Sequence, residues 1–145
     1  MKLVVQRVKS ARVKLVDTSE VVGEIGKGLF ILVGIEKDDD RSKALNLAEK
    51  VSKLRIISDE NGKMNLSVKE TGSEILVVSQ FTLYANTSGG NRPSFIDAAS
   101  PETAENIFNG FVEDLINLGL KVQTGKFGAY MEIETELDGP VTILF

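Results

Sequence analysis

Two hydrophobic periods organise this chain. Across residues 10–16, Ala11, Val13 and Leu15 fall on one side and Ser10, Arg12 and Lys14 on the other, which is the alternation of a half-buried strand. Residues 3–8 ahead of it read as a strand as well. Leu29-Phe30-Ile31-Leu32-Val33 and Ile75-Leu76-Val77-Val78 are unbroken apolar runs, the mark of central strands buried on both faces. Toward the end, Met131, Ile133 and Thr135 alternate with Glu132, Glu134 and Glu136, predicting a strand with one acidic face. Asp138-Gly139-Pro140 then reads as a turn, and residues 141–145 as a last strand.

The helical period appears twice. Asp40 can cap a helix in which Ala44, Leu45, Ala48, Val51 and Leu54 share one side. Ser100 offers a second cap, with Pro101 in a first turn that needs no N–H. Ile107, Phe108, Phe111, Val112, Leu115 and Ile116 form a wide apolar stripe there, and Gly119 supplies the stop. Asp59-Glu60-Asn61-Gly62 is a turn, and residues 86–93, with Gly89-Gly90, read as a flexible loop. Many strands and two well-separated helices predict a single α+β domain over residues 1–145, its sheets mostly antiparallel in a barrel-like arrangement with two main helices. No repeat, linker or low-complexity segment interrupts it.

Composition narrows the chemistry. Of 145 residues, 42% are hydrophobic and 26% charged, enough apolar material for a real core. No apolar run is long enough to span a bilayer. The opening Met1-Lys2-Leu3-Val4-Val5-Gln6-Arg7 reaches a charge at once and lacks a signal-peptide pattern, so a cytoplasmic location is expected. The chain has no Cys and no His. Disulfides, thiolate nucleophiles, Cys/His zinc sites and Ser-His-Asp triads are therefore excluded. Hydrolysis would have to use a hydroxyl, a carboxylate, a lysine, backbone N–H groups or a group on the substrate. A net charge of −4 speaks against extended contact with phosphate backbone, though a local patch could still grip one end of an RNA.

Three segments could carry chemistry. In Ser79-Gln80-Phe81-Thr82-Leu83 an apolar strand ends in two hydroxyls and an amide able to read a polar ligand; an ordinary polar strand end is the plainer reading. Asp138-Gly139-Pro140 is a hairpin turn, or a place where backbone approaches a ligand and presents carbonyls to an ammonium group. Asn91-Arg92-Pro93-Ser94-Phe95 could hold a phosphate through Arg92 and stack a base on Phe95, or be a solvated loop anchored by Phe95. Glu132, Glu134 and Glu136 read as a solvated strand face, and Asp38-Asp39-Asp40 as the start of a helix. No metal site and no cofactor is expected.

Taken together these segments resemble the D-aminoacyl-tRNA deacylases over essentially the whole chain. The matching stretches are Val4-Val5-Gln6-Arg7-Val8, Val22-Gly23-Glu24-Ile25-Gly26-Lys27-Gly28-Leu29, Gly62-Lys63-Met64-Asn65-Leu66-Ser67-Val68, Asn91-Arg92-Pro93-Ser94-Phe95 and Thr124-Gly125-Lys126-Phe127-Gly128-Ala129. The family's two signature motifs match Ser79-Gln80-Phe81-Thr82-Leu83 and Gly139-Pro140-Val141-Thr142. The resemblance implies hydrolysis of the ester at the 3′ end of D-aminoacyl-tRNA, with glycyl-tRNA also accepted, in proofreading of translation. It implies a homodimer in which a cis Gly139–Pro140 segment of one subunit enters the site of the other and excludes an L side chain. Phe81 and Thr82 would stabilise the oxyanion through backbone N–H groups, Ser79 and Gln80 would hold the terminal adenosine, and the ribose 2′-OH would assist; Thr82 as nucleophile is the rival. Arg7 would brace the Gly-Pro segment, Met131 would line the pocket, and Arg92 and Phe95 would meet tRNA. The chain departs from the family at Leu137, where Asn is usual, at Tyr130, where Asp is usual, and in the less basic residues 87–90. An esterase of free D-amino acid esters or D-peptides, and a non-catalytic RNA-binding or chromatin-associated module, are the competing readings.

Overall fold

The computed structural model describes residues 1–145. Its spine is β1 (Lys2–Leu15), which alone serves three partners. One edge takes β3 (Gly28–Gly34) along Lys2 to Val8 and then β2 (Val21–Ile25) along Ala11 to Lys14, both antiparallel. The other edge takes β8 (Met131–Leu144), also antiparallel. Beyond β3 lie β6 (Glu74–Ser79) and β7 (Lys121–Thr124), each parallel to its neighbour. The sheet is thus mostly antiparallel with two parallel pairings, and each parallel step is bridged by a crossover that contains a main helix. The sheet curls until β2 meets β7: a Cβ on Gly23 would lie 2.6 Å from the Thr124 carbonyl oxygen, so only glycine allows this closure. The result is a nearly closed, barrel-like sheet.

The helices α1 (Arg41–Ser52) and α3 (Pro101–Asn117) pack together on one face of the sheet. Asp40 caps α1 by accepting from the Lys43 N–H at 2.8 Å, and Ser100 caps α3 through Thr103. A one-turn helix α2 (Val68–Thr71) has a complete capping box between Ser67 and Glu70. The small hairpin of β4 (Ile57–Ser58) and β5 (Met64–Leu66) stands apart, its turn held by Asp59, which accepts from the Asn61 and Lys63 N–H groups and the Asn65 amide.

Alternation along the central strands splits the core in two. Leu29, Ile31, Val33, Ile75 and Val77 face the helices with Phe111 and Leu115, while Phe30, Leu76 and Val78 face the barrel interior with Val8, Ala11, Val13 and Ile25. Phe111 is fully buried in the larger cluster, and its truncation to Ala would cost about 3–5 kcal/mol.

Several expectations change. The two strands expected over 3–8 and 10–16 are one, because Lys9 is an extra residue opposite the step from Leu137 to Glu136, and this bulge keeps Val8 and Ala11 on the same face. Asp138-Gly139-Pro140 is not a hairpin turn. β8 runs on through it, pairing Leu137 with Val8 and then Thr142 with Gln6, so residues 138–141 bulge out opposite the single residue Arg7. Leu45 and Ile116 belong to the predicted stripes but are exposed, lying at the edge of each apolar face. The loop 86–93 is anchored at its base by a reciprocal pair of bonds between Asn86 and Ser94. The strand β2 carries no marked alternation, and β7 alternates over only four residues, so both depend on their sheet partners.

Candidate active site

β6 ends at Ser79, and the Gln80 N–H still donates to the Val33 carbonyl at 2.7 Å. The chain then tightens into a 3₁₀ turn, Phe81–Tyr84. It folds directly over Gly34, where a Cβ would lie 2.9 Å from the Leu83 Cβ, so this glycine makes the turn possible. The first carbonyl of the turn, Gln80, is taken by the Leu83 N–H, so the N–H groups of Phe81 and Thr82 come before any partner and donate to no group of the chain. The Gln80 amide donates to the Thr82 hydroxyl at 2.5 Å.

A cavity of about 650 Å³ opens beside this turn. Ser79, Gln80 and Phe81 form one side, Phe127, Tyr130 and Met131 another, and Phe95, Pro101 and Ala104 a third. Phe81 and Phe95 meet edge to face with ring centroids 5.0 Å apart. The Met131 sulfur accepts from the Lys126 N–H at 3.3 Å and sits where a Cβ on Gly125 would be only 2.9 Å away, so its position is tightly set. No carboxylate, lysine or arginine lines this cavity.

Arg7 organises a second constellation. Its side chain is 10% exposed and lies inside the β8 bulge. The Nε donates to the Asp138 carbonyl at 3.2 Å and pairs with the Asp138 carboxylate at 3.1 Å; one terminal nitrogen donates to the Ile56 carbonyl at 2.8 Å and to the Ser58 hydroxyl at 3.2 Å. The Gly139–Pro140 peptide in this bulge is cis, and Gly139 has φ +128°, a conformation that favours glycine. Six residues of ladder, about 20 Å, separate Met131 from Leu137 at the near edge of the bulge.

Behind the 3₁₀ turn lies a polar cleft that also measures about 650 Å³. Asp39, with a fully buried side chain, binds the chain's amino terminus at 2.5 Å and Lys43 at 2.6 Å, and accepts from the Glu36 N–H at 2.7 Å. Burial opposes the Asp39 charge, but the bonds from Lys43, the amino terminus and Glu36 outweigh it and hold the carboxyl below its ordinary value. Burial, followed by the charges of Asp39 and Glu36, pushes the Tyr84 phenol up to about 12.

The fold thus gathers Ser79, Gln80, Phe81, Phe95 and Met131 around one cavity and leaves Thr82 beside it. Arg7, Gly139 and Pro140 form a separate group that does not line the cavity of the same chain. Arg92 is exposed in its loop, with no ion pair. Among the wall positions that the sequence reading does not single out as such are Phe127, Ala98, Pro101, Ala104 and Tyr130. Nothing in the apolar pattern distinguishes them from core, because a cavity wall and a core contact have the same polarity. Glu132, Glu134 and Glu136 are a solvated face paired with Lys14 and Lys9 across the β1–β8 ladder. Asp39, in a run that suggests only the start of a helix, is instead the buried partner of the amino terminus.

The sequence pattern of D-Tyr-tRNA(Tyr) deacylases matches residues 4–145. A D-aminoacyl-tRNA deacylase of Desulfatibacillum aliphaticivorans is 52% identical over 99% of this chain and 97% of its own length. One from Limosilactobacillus reuteri is 50% identical over 100% of this chain and 99% of its own. Among solved structures, a c-Myc DNA unwinding element binding protein superposes with TM-score 0.92 at 41% identity, covering 100% of this chain and 97% of the other. A probable eukaryotic D-amino acid tRNA deacylase superposes with TM-score 0.86 at 15% identity over 99% and 97%, a likeness of fold. A full-length pattern match and relatives at about half identity agree with the motifs around the cavity, and the chain belongs to the D-Tyr-tRNA(Tyr) deacylase family.

Proposed function

We propose that this protein cleaves the ester between a D-amino acid and the terminal ribose of tRNA, releasing free tRNA and the D-amino acid, and that it rejects L-aminoacyl-tRNA through Gly139-Pro140. The observation that carries this reading is the pair of unpartnered N–H groups at Phe81 and Thr82 beside an apolar-walled cavity. Ser79 and Gln80 hold the terminal adenosine. Water adds to the ester carbonyl carbon, and the carbonyl oxygen takes up negative charge that the two N–H groups stabilise. With no carboxylate, lysine or arginine in the wall, the vicinal 2′-OH of the substrate relays the proton, and the ribose 3′-oxygen leaves. Thr82 serves as a weaker nucleophile candidate, since its hydroxyl has only the Gln80 amide as partner.

Chiral selection comes from a homodimer. The outer edge of β8 is unpaired and carries exposed Leu137 and Leu144, a surface that calls for a cover. A second copy would bring its Gly139-Pro140 bulge, braced by Arg7, into the cavity and leave no room for an L side chain. Glycine has no side chain to exclude, so glycyl-tRNA is also a substrate. Arg92 and Phe95 meet the RNA end. The reaction places the protein in the cytoplasm with charged tRNA; no helix of the structure is long and apolar enough to cross a membrane. The 41%-identical relative named for DNA binding favours a second reading, a module that binds nucleic acid without turnover, but a net charge of −4 works against broad phosphate contact.

The test is deacylation of matched D- and L-tyrosyl-tRNA with Pro140→Ala alongside. We expect release of D-tyrosine at least about 100-fold faster than L-tyrosine, a difference of about 2.7 kcal/mol in barrier, and loss of that ratio in the variant. Release from neither substrate by the folded protein, with tight binding of duplex DNA, would favour the binding module.

A further inference from the structure

Tyr130 is out of place for a large aromatic. It is 83% exposed, and its hydroxyl bonds to nothing in the chain, yet its position is firmly set. The Tyr130 carbonyl accepts from the Val16 N–H at 3.1 Å, and the turn before it closes with the Ala129 N–H on the Lys126 carbonyl, with Gly128 at φ +70°. The ring stands at the mouth of the cavity, whose wall also carries Phe81, 57% exposed, and Phe95. In the same turn Lys126 is exposed and makes no ion pair, whereas eight other cationic side chains do. A rigidly based, solvent-facing ring with a free cation in the turn that leads into it suits an unpaired nucleotide: the base stacks, and the cation takes the phosphate.

We propose that Tyr130 and Lys126 form a platform for the penultimate nucleotide of the tRNA 3′ end, at the rim of the cavity that takes the terminal aminoacyl-adenosine. The inference rests on the deacylase reading for the identity of the RNA end. Its ligand is the base and 5′ phosphate next to the terminal adenosine, so the site separates a tRNA from a lone aminoacyl nucleoside. The terminal ester stays in the cavity, and Tyr130 touches no reacting atom. It is a binding residue whose loss raises KM and leaves kcat as it was.

The experiment compares D-tyrosyl-tRNA with 2′(3′)-O-D-tyrosyl-adenosine as substrates of the wild type, Tyr130→Ala, Tyr130→Phe and Lys126→Ala. We expect Tyr130→Ala to raise KM for the tRNA about 5- to 100-fold, from the strength of one base stack, with KM for the nucleoside raised no more than about twofold by the lost wall contact and Tyr130→Phe close to wild type. Lys126→Ala should raise KM for the tRNA less and flatten its salt dependence. An equal loss on both substrates, or no loss on either, overturns the platform. Calorimetric titration with the unacylated trinucleotide CCA and with adenosine gives a readout free of turnover: Tyr130→Ala should weaken the trinucleotide several-fold more than adenosine. If the wild type releases nothing from any D-aminoacyl substrate, the deacylase reading falls, and the CCA titration by itself then decides the platform, with unchanged affinity in Tyr130→Ala counting against it.

Discussion

Two clefts of about 650 Å³ lie on either side of the 3₁₀ turn Phe81–Tyr84, and they are built on opposite rules. In the polar cleft most charges near Tyr84 have an answer, the Glu36 carboxylate being without an ion pair: Asp39 is met by the amino terminus, Lys43 and the Glu36 N–H, Lys2 lies 4.4 Å over the Tyr84 ring, and Lys37 pairs with Asp97. In the apolar cavity the few polar groups are left open, above all the Phe81 and Thr82 N–H groups and the Ser79 hydroxyl. Volume does not distinguish them. Unspent hydrogen-bonding capacity does, because an unpaired donor in an apolar wall is costly unless a ligand or water satisfies it. The polar cleft holds the turn from behind, and the cavity leaves its N–H groups open.

The comparison breaks most sharply at Asp39. Asp39→Asn leaves a buried ammonium without its carboxylate and should cost about 3–5 kcal/mol of stability, measured by denaturant unfolding, with kcat/KM at a temperature where both proteins are folded within about twofold of wild type, far less than one pKa unit of energy. Because the folded Asp39 carboxyl lies below its ordinary value, the folded state binds fewer protons than the unfolded one. Its contribution is complete above about pH 4 and is lost as pH falls through the folded value, so the gap between wild type and variant should close in acid. A variant as stable as wild type, or a gap that widens in acid, would contradict this account.

Gln80→Ala tests the other cleft and should do the reverse. Losing a hydrogen bond to the substrate end costs about 1–3 kcal/mol, or roughly 5- to 150-fold in kcat/KM, with little change in melting temperature. Phe95→Ala is the finest probe. It removes the edge-to-face partner of Phe81 and should lower stability by about 0.5–1.5 kcal/mol, well below the loss at Asp39, while raising KM for D-tyrosyl-tRNA a fewfold. If Phe95→Ala lowered stability as much as Asp39→Asn, the contrast between a structural cleft and a ligand cleft would collapse.

Much of this was legible in the chain itself. Unbroken apolar runs marked β3 and β6 as central, since a strand covered on both faces needs no polar side. Asp40, Ser100 and Pro101 announced the starts of α1 and α3, because capping is a local bond between residues three apart. The absence of Cys and His removed whole classes of catalyst, and the order of short motifs pointed to the family. All of these are properties of neighbours along the chain or of its inventory.

Other features depended on residues far apart in sequence. That Asp138-Gly139-Pro140 is a bulge rather than a turn rests on Thr142 finding Gln6 again, and on Arg7, 131 residues away, filling the space between. The shortness of the gap at Gly23 depends on β7 arriving beside it, and β2 and β7 exist only as partners in the sheet. Asp39 looked like one of three aspartates opening a helix until the amino terminus met it. Composition and local period therefore determined which elements form and which chemistry is available. Pairing register and long-range closure, which no local bond encodes, decided which polar groups are satisfied and which are left open.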